Sequence, residues 1–288
     1  MNMKSLRRVV GSGFLLFGVV LLQPLSSASA IPADVPLGTA GAFSVLAGST
    51  VTNTGPSVIS GDAGNGGNLG VSPGSAVTGF PPGLVTPPGT IHTTDAVAGN
   101  AQSDLTIAYN TAAGLPCNKT LTDQDLGGQT LTSGVYCFAT SAQLTGTLTL
   151  DAEGNPDAVF IFQIGSTLIT ASNSTVAFVN GAQGCHVFWQ VGSSATLGTS
   201  SLFSGTIMAL TSITANTTAN VQGRLLARNG AVTLDSNAIH TPACAPETGV
   251  PTAPLFGAAG QGVAVGMFLA GAGLIMFRRR SLLAPTAL

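Results

Sequence analysis

Charge is the scarcest property of this sequence. Of 288 residues only 9 are Lys or Arg and 11 are Asp or Glu, whereas a soluble domain carries roughly a quarter charged residues. No basic patch exists to displace phosphate counterions, which excludes nucleic-acid binding. Aromatics are also few, at 6%. The three histidines, His92, His186 and His240, stand apart, and no Cys-x-x-Cys occurs, so neither a metal site nor any other cofactor is expected. Disorder is excluded from the other direction, because 44% of the chain is apolar. What abounds is Gly, with 38 residues, beside Thr, Ser, Ala and Asn. That mixture suggests a repetitive β-architecture whose polar faces are built from hydroxyls.

Catalytic patterns are equally thin. Gly70-Val71-Ser72-Pro73-Gly74 fits Gly-x-Ser-x-Gly, but a nucleophile elbow needs a helix directly after the serine. Pro73 and further loop residues follow instead, so this is a turn. The acid pairs Asp123 with Asp125 and Asp151 with Asp157 fall in apparent loops. Polysaccharide-cleaving enzymes with stacked strands need clustered acids or bases in a groove. The chain is therefore read as a non-enzyme.

Both ends carry processing signals. Lys4, Arg7 and Arg8, the apolar run Val9 to Leu22, and Ala28-Ser29-Ala30 make a secretory signal over residues 1–30. At the other end, residues 245–288 hold an apolar stretch from Leu255 to Phe277 followed by Arg278, Arg279 and Arg280. That length spans a bilayer and the arginines face the cytoplasm. Pro246, Thr248 and Gly249 precede it. Pro-x-Thr-Gly, apolar span and basic cluster resemble a cell-wall sorting signal, in which a sortase cuts between Thr and Gly. Ala245 stands where that pattern has Leu, and a permanent membrane anchor remains the alternative. Either way the protein is placed on the outer surface of a bacterium. Residues 31–248 retain Lys119, Arg224 and Arg228 against all eleven acids, and Arg224 and Arg228 are expected to pair with acids such as Asp235.

Cys117, Cys137, Cys185 and Cys244 all lie in the exported part, residues 31–244. An even count in an oxidising compartment reads as two disulfides. Three pairings are possible, and Cys117–Cys137 with Cys185–Cys244 is favoured.

After about residue 130 the sequence repeats. Ile169 to Asn173, Ala195 to Thr199, Ile213 to Thr217 and Val232 to Ser236 each read apolar, Thr, apolar, small or polar, then Asn, Thr or Ser. Thr196, Thr214 and Thr233 are spaced by 18 and 19, while Thr170 precedes Thr196 by 26. Phe203, Val221 and Ile239 also recur at 18, as do Ala209 and Ala227. Such a period suggests three short strands per turn of a parallel β-helix, with a β-sandwich as the alternative. Strand alternation sends Ile169, Ala171, Ile213, Ala215, Val232 and Leu234 inward. It sends Thr170, Thr196, Thr214 and Thr233 outward as a ladder.

One segment departs from this. From Thr94 to Ala113, Val97, Ala101, Leu105, Ala108 and Ala112 recur at three and four, with Thr94 and Asp95 as an N-cap and Gly114 as a stop. It reads as one helix packed lengthwise on the coils. Residues 64–89, rich in Gly and Pro, read as an irregular loop or end cap shielding a strand edge.

Several segments resemble those of the ice-binding protein family. They are Gly48 to Gly55, Leu69 to Gly74, Leu121-Thr122 through Leu126-Gly127-Gly128, Val187 to Gly192, and Gly223 to Ala227. The resemblance spans nearly all of residues 36–244. It implies a mainly β fold, a right-handed, discontinuous, three-faced parallel β-helix with one long helix alongside. It also implies adsorption to ice through one flat face bearing a loose Thr-(Ala/Gly)-x-(Thr/Asn) pattern. Thr170 to Asn173 and Thr214 to Thr217 match; Thr196 to Thr199 matches with Leu for Ala; Thr233 to Ser236 departs twice; and Thr145-Gly146-Thr147 matches in part. The implied contacts are Thr145, Thr147, Thr170, Ser172, Thr196, Thr199, Thr214, Asn216 and Thr233, with Asp235 a charged defect among them.

Ice offers neither charge nor a pocket, only a lattice of water. A matching surface must be rigid and repetitive. Threonine suits it, because its hydroxyl anchors water beside a methyl and its branched Cβ leaves few rotamers. The reading is thus a secreted, surface-anchored, monomeric ice-binding protein. The rival is a surface adhesin or structural module built on the same stack without ice affinity.

Overall fold

The computed structural model describes residues 34–62, 65–241 and 243–244. Residues 1–30, read above as a secretory signal, and 245–288, read as a sorting signal or anchor, lie outside the described residues. Strands pair in parallel throughout, apart from one short antiparallel contact between Gly61–Asp62 and Asn65–Gly66. Parallel pairing of successive coils makes a β-helix and excludes the sandwich, which needs antiparallel sheets.

Each coil contributes one strand to each of three faces. The first face runs from Lys119–Thr120 through Gly134–Phe138, Phe160–Ile164 and Val187–Val191. It continues over the second halves of Leu202–Ala209 and Asn220–Ala227. Phe43–Ala47, Asn68–Val71 and Ile91–Thr93 complete it. The stack is therefore discontinuous in sequence: the first strands of the chain pair with its last ones. This also corrects the reading of residues 64–89. They do cap the stack, but as strands Asn68–Val71, Ala76–Thr78 and Leu84–Val85, one per face, rather than as an irregular loop.

Strands of this first face are apolar on both sides, as Phe160–Ile164 and Val187–Val191 show in sequence. Buried parallel strands require such runs. Inward, Tyr136, Phe162, Trp189 and Phe203 stack, with Phe162 and Trp189 3.9 Å apart between ring centroids at 9°. The indole of Trp189 donates to the Ser204 carbonyl at 3.1 Å. Outward, Phe43, Leu46, Val135, Ile161, Phe188, Met208 and Leu226 meet the helix Ala96–Gly114. Asp95 caps that helix, accepting from Ala98 N–H at 2.8 Å. Its buried stripe is Ala98, Ala101, Leu105, Ala108, Tyr109 and Ala112. Val97 is exposed instead of joining it, because Ala98 holds the helical phase that leads to Ala101 and Leu105. Gln163 donates to the carbonyls of Ala112 and Leu115 at 2.8 Å each, which satisfies the helix C-terminus.

Leu202–Ala209 and Asn220–Ala227 each serve two faces, bending at Gly205 (φ +109°) and Gly223 (φ +153°). A Cβ on Gly205 would lie 2.8 Å from Trp189 Nε1, and one on Gly223 would lie 2.0 Å from the Gly205 carbonyl oxygen. Glycine is required at both bends. The columns at a spacing of 18 are in register: Phe203 with Val221, Val221 with Ile239, and Ala209 with Ala227.

The disulfides are Cys117–Cys137 and Cys185–Cys244. His186 lies beside the second, but both sulfurs there are bonded to each other. Neither Arg224 nor Arg228 pairs with Asp235. Arg224 is buried beneath the Gly38–Ala42 turn, donating to the Gly41 carbonyl at 3.2 Å. Burial lowers its pKa to about 10, opposed by the nearby Asp34 charge. Arg228 lies over the Tyr109 ring at 4.7 Å.

Candidate functional site: the threonine face

The second face is a seven-stranded parallel sheet. Its order is Ala142–Leu144, Leu168–Thr170, Ala195–Leu197, Ile213–Ala215, Val232–Asp235, Thr50–Thr54 and Ala76–Thr78. No register shift interrupts its pairs. Its inner side is mostly apolar, with Leu168, Ala195, Ile213, Val232 and Val51 buried.

One central outward column crosses it. In spatial order this is Gln143, Ile169, Thr196, Thr214, Thr233, Thr52 and Thr78. Five consecutive coils thus present threonine, over about 19 Å at the usual strand spacing. None of these five hydroxyls is hydrogen-bonded to another described protein group, and no charge stands among the five; the bridge of Asp125 to Gln143 puts a carboxylate at the far end of the row. Each of the five hydroxyls keeps its full capacity to bind water.

A second row lies along the corner leading to the third face. It comprises Thr145, Ser172, Thr199, Thr217, Asp235 and Thr54, all exposed except the half-buried Asp235. The residue that follows each of these takes a left-handed conformation: Gly146, Asn173, Ser200, Thr218, Ser236 and Gly55. Its N–H bonds the next coil's corner carbonyl, as in Ser200 N–H to Thr217 (3.0 Å) and Thr218 N–H to Asp235 (3.0 Å). The corner is therefore stitched coil to coil and rigid. Between column and corner lie Ala171, Gly198 and Asn216. A Cβ on Gly198 would stand 2.4 Å from the Ala171 carbonyl carbon, so nothing larger fits there.

This geometry explains the four-residue pattern physically. In the coils of Thr196 and Thr214 its first Thr stands in the column, the next residue points inward, the third lies between column and corner, and the last stands at the corner. Thr196, Thr214 and Thr233 occupy the column. Ser172 and Thr199 lie at the corner beside the half-buried Asn216, while Thr145 marks its far end. Thr147 begins a strand of the third face, paired with Thr175. Asp235 belongs to the corner row, where it accepts from the hydroxyls of Thr217 and Ser236.

Thr170 requires correction. It points inward, 3% exposed, and its hydroxyl accepts from Gly198 N–H at 2.9 Å. Ile169 points outward, 45% exposed, and Ala171 is half-buried beyond it. The true partner of Ala195 is Leu168. Matching threonine to threonine across the long loop slips this strand by one residue, and a one-residue slip exchanges the two faces.

The other faces are chemically different. The first is covered by the helix. On the third, the row Thr147, Thr175, Leu202, Asn220, Ala238, Val58 and Leu84 mixes polar and apolar groups, with Leu202 and Leu84 each 53% exposed. Some of the residues weighed for catalysis or metal binding have structural partners. Asp125 accepts from Gly127 N–H and Thr145 N–H at 2.7 and 2.8 Å. His92 contacts Asp95 at 2.7 Å.

The family model described as ice-binding-like matches residues 45–240. The chain belongs to the ice-binding-like family. An ice-binding protein of Nostoc sp. (strain HG1) is 60% identical over 204 residues, covering 70% of this chain and 72% of that protein. One from Colwellia sp is 36% identical over 229 residues, covering 73% and 85%. The crystal structure of an ice binding protein from an Antarctic biological consortium is 44% identical with a TM-score of 0.69, covering 74% of this chain and 93% of that one. That of the Antarctic ascomycete Antarctomyces psychrotrophicus is 39% identical with a TM-score of 0.68, covering 72% and 98%.

Within this ice-binding-like fold, Thr52 and Thr78 are the column members that the repeat count after residue 130 does not reach. The usable signal is Val51-Thr52-Asn53-Thr54, which repeats the apolar-Thr-x-Thr order. Only the discontinuous stacking places it beside Val232–Asp235.

Proposed function

We propose that this protein adsorbs to ice through the threonine face and restrains crystal growth and recrystallisation without catalysis. The observation that carries the reading is the column of Thr196, Thr214, Thr233, Thr52 and Thr78. It is uncharged, in unbroken register, and its hydroxyls have no described protein partner. Rigid hydroxyl and methyl pairs at regular intervals hold water in a fixed array that merges with a crystal lattice, whereas mobile charged side chains keep a disordered shell. The names of the relatives support the same reading. The Cys185–Cys244 and Cys117–Cys137 disulfides fit an oxidising exterior. With the apparent leader at 1–30 and the apolar and basic tail at 255–280, the proposal includes secretion and attachment to the cell surface, as a monomer.

Recrystallisation of a polycrystalline ice film containing the purified protein tests it. Grains should stay small with the native chain and coarsen as in buffer with Thr214→Tyr, the melting curve being unchanged. Native protein that lets grains coarsen would leave the adhesin or scaffold reading in its place. An active Thr214→Tyr variant would move the site to another face.

A further inference from the structure

The threonine column does not cross the whole sheet. In its two lowest coils the position is held by Ile169 and Gln143. Ile169 keeps the branched Cβ and the methyl of a threonine, but it offers no hydroxyl. Gln143 carries an amide on a flexible stem, which fixes neither water nor itself. Beyond Gln143 the surface becomes a hollow of about 380 Å³, lined by Asp123, Gln124, Asp125, Thr140, Ser141 and Gln143. Burial raises the pKa of Asp125, but the Gly127 and Thr145 hydrogen bonds outweigh it and hold that carboxyl below its ordinary value. A concave, anionic end binds water in an arrangement unlike that over the five threonines. The loss of threonine and the change of shape and charge meet at Gln143, which ends the column and lines the hollow.

We propose that Ile169 and Gln143 bound the ice-contact surface, so that five of seven coils engage ice and these two side chains limit activity. This rests on the threonine face being the ice-binding surface. Contact then belongs to the end of the face formed by Thr52 and Thr78 from the start of the chain together with Thr196, Thr214 and Thr233 from its later part. The lower coils act as the support on which that patch is built.

Ile169→Thr tests the boundary with little risk to the fold. The side chain is 45% exposed, and threonine retains β-branching on a strand. The native chain, Ile169→Thr and the double variant Ile169→Thr with Gln143→Thr are compared for the lowest concentration that prevents grain growth, with circular-dichroism melts as a fold control. That concentration should fall stepwise, for the double variant by at least the ratio of seven column positions to five. A value unchanged or raised in both variants, with melts like the native one, overturns the proposal, because Ile169 and Gln143 would then already serve as contacts or be irrelevant. Should the double variant fail to fold, Ile169→Thr alone decides. An inactive native chain defeats the ice reading itself. An active native chain with unimproved variants defeats only the boundary.

Discussion

The helix-covered face and the threonine face are cut from the same coils, yet their outward side chains differ in kind. On the first, Phe43, Leu46, Ile161, Phe188, Met208 and Leu226 point out and are fully or almost fully buried. Left in water they would form a large apolar patch, and the alanine-rich stripe of the helix removes it. On the second, Thr52, Thr78, Thr196, Thr214 and Thr233 occupy the equivalent outward position with nothing above them. Threonine there costs the fold little, since it pairs well across parallel strands and its hydroxyl is hydrated. The difference shows how one coil geometry yields both a face that must be covered and a face that can stay bare. Binding to a water lattice needs the bare one.

That contrast can be broken from the covered side. Leu105 is fully buried between helix and coils, so Leu105→Ala should lower unfolding free energy by about 2–5 kcal/mol. Chemical denaturation measures this, while ice adsorption well below the melting point should persist, because the threonine face does not touch the helix. Loss of adsorption in a folded Leu105→Ala protein would mean that the two faces are coupled. A smaller effect is expected at the helix C-terminus. Cys117–Cys137 ties the chain just past Leu115 to the strand Gly134–Phe138, closing a separation of 20 residues. Replacing both with serine should cost about 3 kcal/mol on a chain-entropy basis, again with adsorption retained.

The smallest effect concerns pH. The hydroxyl and then the N–H of Thr39 hold the Asp104 carboxyl below its ordinary value, and Ala98 N–H followed by His92 does the same for Asp95. Both groups belong to the helix side. For a depressed carboxyl the stabilisation is complete above the unfolded pKa of about 3.9 and disappears as pH falls through the lower folded value. The melting temperature should therefore drop in that acid range. Ice adsorption, with no titrating group in its column, should stay level from about pH 5 to about pH 9. A midpoint of adsorption inside that span would mean that a titrating group outside the column takes part in the contact.

Much of this arrangement was legible in the residues themselves. The spacing of 18 marks the coils because Phe203, Val221 and Ile239 fill the same inward slot on successive turns. The helix was legible from its alanines, except that Val97 lies off the buried stripe. Thr196, Thr214 and Thr233 were legible as a column because no insertion separates their coils. Thr170 was not, since the longer loop before Ala195 hides the register and Ile169 and Thr170 are both branched residues that suit either side of a strand. Its inward hydroxyl is satisfied by Gly198 N–H, a pairing between coils that no local pattern announces. Thr52 and Thr78 escaped the repeat for a topological reason: their coils stack on the end of the chain, far from them in sequence. The strands within residues 64–89 were hidden by glycine and proline, which serve here as corners between very short strands.

The most direct test is the uptake of fluorescently labelled protein into a growing ice front, comparing single tyrosines on the two uncovered faces. Thr214→Tyr should leave the ice dark, while Thr147→Tyr on the third face should be taken up as the native chain is. Equal uptake of both variants, or exclusion of Thr147→Tyr alone, would contradict the assignment of ice contact to the five-threonine column.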